Sequence, residues 1–104
     1  MKTFDRRQHP RLKVNFPTSL SSVGLTHPIE AVTENVSQVG AYIRTKDWSV
    51  FEPKERVLAT FFLPTSFTGQ EKTTALQGAS LITRVEPEKE GVGLQFVQTV
   101  RQFE

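Results

Sequence analysis

Between Val14 and Phe96 the chain consists almost wholly of short runs of β-type residues, cut at close intervals by Gly, Pro, Asn or charged clusters. Such punctuation leaves no helix of normal length and calls for strands joined by turns. Six runs read as strands, at 14–23, 27–36, 41–45, 56–63, 73–85 and 91–96. The clearest is 56–63, where Val57, Ala59, Phe61 and Leu63 share one face and Leu58, Thr60 and Phe62 the other, so both faces should be at least partly covered. In 91–96, Val92, Leu94 and Phe96 share a face. Pro17 cannot donate a ladder hydrogen bond, so the first run should lie at an edge or carry a bulge there. Gly78 is a natural bulge or bend in the fifth. The second run has no clear-cut apolar face, although Ile29, Ala31 and Thr33 alternate with Pro28, Glu30 and Val32. Residues 46–55 read as a loop whose apolar side chains cover one end of the core, and 86–90 as a polar hairpin tip. Six antiparallel strands with hairpin-length connections predict an all-β fold, a small six-stranded antiparallel barrel in which closure removes exposed edges.

At 104 residues, with 37% apolar side chains and eight Phe, there is one domain with a real core. No stretch approaches the roughly 20 apolar residues of a membrane span, and the N-terminus lacks an apolar signal region, so no membrane insertion and a cytoplasmic location are expected. The absence of cysteine excludes disulfides and thiolate zinc sites, and the two His are far apart, so no metal is expected. No Ser lies in a nucleophile-elbow context, neither His has a recognisable partner, and there is no Gly-rich phosphate loop. The chain is expected not to be an enzyme and to need no cofactor.

The net charge of +2 is unevenly spread. Residues 1–15 hold Lys2, Arg6, Arg7, Arg11 and Lys13 against Asp5, a sum of +4 that leaves −2 for the rest. A basic arm on a slightly acidic body is a local anion receptor, whereas general nucleic-acid binding needs a basic face across the fold. The expected partner is small and anionic, not DNA or RNA. Within Asp5-Arg6-Arg7-Gln8-His9-Pro10-Arg11, Pro10 disfavours the α region at His9, so the arm should be extended or turned. Each guanidinium offers a rigid fork of donors for phosphate or for O6 and N7 of guanine, and a plane that stacks on bases. Taken alone, the same run is equally a solvated basic terminus.

The second candidate stretch is Asn35-Val36-Ser37-Gln38-Val39-Gly40, between two strand runs. The Asn35 amide and Ser37 hydroxyl both donate and accept, which suits the Watson-Crick edge of guanine, while Gly40 fits sharply bent backbone or a close approach to a ligand. Taken alone, it is also an ordinary turn, since Asn and Ser cap turns through side-chain hydrogen bonds.

In order and spacing, the RxxxR of Arg7 and Arg11, the NxSxxG of Asn35, Ser37 and Gly40, and the closing Gly91-Val92-Gly93-Leu94-Gln95-Phe96 together resemble the PilZ domain family. The resemblance runs over roughly residues 4–97 and implies a barrel that binds the bacterial second messenger cyclic di-GMP. By position, Arg7 and Arg11 resemble the motif arginines, and Asn35, Ser37 and Gly40 the second motif. Arg6 stands just before the arginine motif, where an arginine in the family accompanies binding of a stacked, mutually intercalated cyclic di-GMP dimer. The resemblance further implies a sensor or adaptor whose arm (1–13) wraps over nucleotide on the barrel (14–97) and changes what a protein partner meets. The alternative is a PilZ-like barrel that binds no nucleotide and serves as a protein-interaction module. Because Val97, Val100 and Phe103 are three apart, residues 98–104 are expected as a tail or the start of a short C-terminal helix.

Overall fold

The computed structural model describes residues 10–97 and 101–102. Its strands are β1 (Leu12–Ser21), β2 (Ile29–Val36), β3 (Gly40–Arg44), β4 (Arg56–Leu63), β5 (Thr74–Glu86), β6 (Gly91–Phe96) and the two-residue β7 (Arg101–Gln102). They are ordered β4-β1-β2-β3-β6-β5, and β5 pairs back onto β4, so six antiparallel strands close a barrel. Closure satisfies backbone donors and acceptors that an open sheet would leave on its edges. The strand β7 extends this ring by pairing Arg101 and Gln102 with Gln77 and Leu76 of β5. Of residues 98–104, expected as a tail or the start of a short helix, the described pair Arg101 and Gln102 is extended. Besides two 3-10 turns at Trp48–Val50 and Pro87–Lys89, a single short α-helix among the described residues, α1 (Thr65–Thr68), follows β4 and ends at Gly69, which takes the left-handed conformation (φ 76°) that glycine adopts without strain.

The core is the inward face of the ring, where Leu20, Ile43, Ile82 and Val92 are essentially inaccessible and Ala41, Val57, Ala59, Phe61 and Leu94 surround them. Phe51 closes one end from the 46–55 loop, with half-buried Trp48 beside it. Buried hydroxyls, among them Thr18, Thr33 and Ser80, interrupt this apolar interior. Thr18 and Thr33 share a hydrogen bond of 2.6 Å, and Thr18 also donates to the Phe16 carbonyl, so neither is left without a partner.

Bulges explain the places where strand patterning is blurred. In β2, Thr33 faces inward opposite Ile43, and Asn35 pairs with Tyr42, so Glu34 is an extra residue. The inward series Ile29, Ala31, Thr33 therefore resumes at Val36, which packs on the core, while Glu34 and Asn35 both stand on the outer face. The register of β1 shifts at the same level, between Lys13 and Phe16, and this is the irregularity expected near Pro17. In β5 the bulge falls between Ile82 and Arg84, whereas Gly78, where one was expected, pairs in register with Ala59.

Candidate functional site

The first end of the site is where β1 and β2 begin and end beside each other. Leu12 pairs with Val36 and Lys13 with Asn35, which sets Arg11 next to the NxSxxG turn. The Arg11 Nη1 donates to Asn35 Oδ1 at 2.6 Å, so a residue of each motif meets directly across 24 positions of sequence. The Asn35 amide NH2 remains a donor pair for a ligand. Arg6 and Arg7 lie outside the described residues.

Ser37 and Gly40 are held in a tight reversal. The Ser37 N–H donates to the Gly40 carbonyl at 2.8 Å, the Val39 N–H donates to Ser37 Oγ at 3.2 Å, and the Phe96 N–H donates to the Val39 carbonyl at 2.8 Å. The turn reading of this segment and its motif reading are thus compatible. Gly40 is fully buried, and a Cβ there would fall inside contact distance of the Leu94 carbonyl oxygen on β6. Its lack of a side chain is thereby accounted for by strand closure.

The outer face around Asn35 carries a shallow concavity of about 370 Å³, lined by Lys13, Asn15, Glu34 and Arg44 among others. Glu34 and Arg44 neutralise each other at 2.6 Å, both well exposed, which leaves Arg11 and Lys13 as the excess charge. A larger concavity of about 540 Å³ opens at one end of the barrel between Phe16, Phe61, Phe67 and Phe96. Among the described residues no charged side chain lines it, and Ser37 and Gln38 sit on its rim.

Tyr42 extends the outer face across β3. It pairs with Asn35 on one side and Gly93 on the other, and is only 5% exposed. A Cβ at Gly91 would overlap its ring, so Gly91 of β6 leaves the space in which the tyrosine lies. The Tyr42 hydroxyl donates to Glu86 Oε1 at 2.8 Å, Arg84 Nε donates to Glu86 Oε2 at 2.9 Å, and the Arg84 guanidinium carbon stands 5.5 Å from the Tyr42 ring centroid. Glu86 is therefore an anchored acceptor; Glu88 and Glu90 are the solvated residues of the hairpin tip. Sequence reasoning missed this cluster. The readable signal was the pair of glycines two apart on a strand, opposite an aromatic on its neighbour.

Burial, reinforced by the hydrogen bond to Glu86, pushes Tyr42 up from 10.0 to about 12. The same hydrogen bond, with Lys89 and Arg84 close by, holds the Glu86 carboxyl below its ordinary value. Because the fold favours the neutral phenol, this stabilisation is complete below pH 10 and is lost as pH rises from 10 through 12, where the unfolded chain ionises first. Tyr42 is the sole tyrosine, so phenolate absorbance reports it without interference. In the folded protein the band should grow near pH 12, and near pH 10 in urea; growth near pH 10 in the folded state would contradict the buried hydrogen bond.

Among the described residues, none forms a His, Asp and Glu cluster able to hold a metal, and no helix is long and apolar enough to cross a membrane. His27 is exposed in the turn before β2.

Among curated proteins none matches the sequence. The fold is shared with the Bacillus subtilis inhibitor of motility, MotI/DgrA, with a TM-score of 0.73 and 20% sequence identity over 95% of this chain and 46% of that chain. At that identity the likeness concerns the fold alone, and this chain spans less than half the length of that one. The PilZ domain description matches residues 5–103, from the arginine arm through β6 and β7, and on that match the chain belongs to the PilZ domain family.

Proposed function

We propose that this chain is a cyclic di-GMP sensor or adaptor module. In this reading the nucleotide lies on the outer barrel face at Arg11, Asn35, Ser37 and Gly40, and the arm bearing Arg6 and Arg7 closes over it. The observation that supports it most is the 2.6 Å hydrogen bond joining Arg11 to Asn35, because it brings a guanidinium fork and an amide edge into one patch. Those groups complement a phosphate and the Watson-Crick edge of guanine. The module has no chemistry of its own; nucleotide binding reorders the arm, and the altered surface is read by a protein partner in the cytoplasm. The place of Arg6 gives a stoichiometry of two nucleotides per chain, as an intercalated pair.

Isothermal titration with cyclic di-GMP, with GMP as control, tests this reading. The expected result is a saturable signal near two nucleotides per chain that GMP does not reproduce. A signal near one would remove the role given to Arg6 while keeping the site. No signal from folded protein at high ligand concentration would overturn the sensor reading in favour of a protein-interaction barrel.

A further inference from the structure

The pairing registers place one continuous row of residues on the outer face, running Lys13, Asn35, Tyr42, Gly93, Arg84 across β1, β2, β3, β6 and β5. Paired residues of antiparallel neighbours share a face. Arg84 belongs to this row only because of the bulge in β5. Ile82 points into the core and Thr83 out of it, so an unbroken strand would turn Arg84 inward. The extra residue keeps it outside, beside Thr83.

Arg84 is both fixed and accessible. One side of its guanidinium is backed by the Tyr42 ring, its Nε is tied to Glu86, and its side chain is nevertheless 50% exposed. Between it and Asn35 lies Gly93, where a Cβ would come within 2.9 Å of Thr83 Oγ1 and 3.2 Å of Arg84 Cγ. The Arg84 stem and Thr83 thus lie against Gly93, which has no side chain to hold them off the sheet. Three inter-strand steps of about 4.8 Å separate the Asn35 and Arg84 positions, roughly 14 Å, which a ligand with a base at each end spans and a mononucleotide does not.

We infer that Arg84, backed by Tyr42 and braced by Glu86, is a base-stacking platform forming the far end of the nucleotide site. This rests on the cyclic dinucleotide reading of the Arg11 and Asn35 end and adds to it a second recognition point made by β5. Arginine suits the task because its planar, weakly hydrated cation stacks on a purine with either face, and the Glu86 contact removes much of the rotamer freedom that binding would otherwise cost.

Titration of the wild-type chain, Arg84→Ala and Arg84→Lys with cyclic di-GMP tests the inference, with unfolding midpoints establishing that each variant is folded. The expected result is affinity about tenfold or more weaker in Arg84→Ala, the scale of one lost base stack. Arg84→Lys should be nearly as weak, since an ammonium keeps the charge but not the plane. Wild-type affinity in Arg84→Ala would overturn the inference, and so would full rescue by lysine, which would reduce Arg84 to a point charge. Failure of the wild-type chain itself to bind would be seen first, and would remove the nucleotide reading and the platform with it.

Discussion

Replacing Gly40 by valine should cost the barrel about 2 to 4 kcal/mol, the scale of forcing a branched side chain into closed packing. The obstacle is backbone. The added Cβ would overlap the Leu94 carbonyl, and Leu94 is paired to Ala41 in the β3–β6 ladder, so the oxygen cannot swing aside without opening the ring. Alanine should already destabilise, because the clash begins at Cβ. Gly24, exposed with nothing near its Cβ position, is the control: Gly24→Ala should change stability by no more than about 0.5 kcal/mol. Urea unfolding of the three variants checks this, and wild-type stability in Gly40→Ala would contradict the packing described for the turn. If the account holds, nucleotide binding by Gly40→Val will fail through loss of the fold, and that failure says nothing about ligand contact.

Arg7→Ala and Arg11→Ala should each weaken cyclic di-GMP binding by about 1 to 3 kcal/mol, the range for a bidentate arginine contact with guanine. The effect of Arg11→Ala on stability should be small, since a half-buried charge near a terminus contributes little to folding. Arg11 carries a further expectation. Because its guanidinium donates to Asn35 Oδ1, the losses from Arg11→Ala and Asn35→Ala should not add, and the double variant should bind better than their sum predicts. Simple additivity would mean that the two side chains meet the ligand independently. Undiminished affinity in both Arg7→Ala and Arg11→Ala would remove the arm from the mechanism.

The ring of strands was legible because alternation and turn residues act locally. Arg56–Leu63 and Gly91–Phe96 fall where periodicity and flanking Pro or Gly predict them. What patterning could not show is which strand lies beside which, and hence what crosses the outer face. The bulges at Glu34 and Thr83 each reverse the alternation, and a two-residue period read through them assigns side chains to the wrong face. That is why Asn35 was recognisable through its motif while Arg84 looked like an ordinary strand residue. Gly40 illustrates a different limit. Sequence marks the need for glycine, but only the position of Leu94 shows that a neighbouring strand creates it. The short helix Thr65–Thr68 lies between two expected strands and is too short to show a period. Arg6 and Arg7 fall in the part of the arm outside the described residues and were read through their motif.

In the proposed mode of binding, nucleotide occupies the outer face from Arg11 and Asn35 to Arg84. Its most direct test is a titration of the 15N-labelled chain with cyclic di-GMP, followed by the Asn35 side-chain amide, the Arg84 Nε–H and the backbone amides of Phe61 and Leu63. The first two signals should move together to saturation while Phe61 and Leu63, at the apolar end of the barrel, stay in place. Shifts confined to Phe61 and Leu63, or none at all with excess nucleotide, would contradict it.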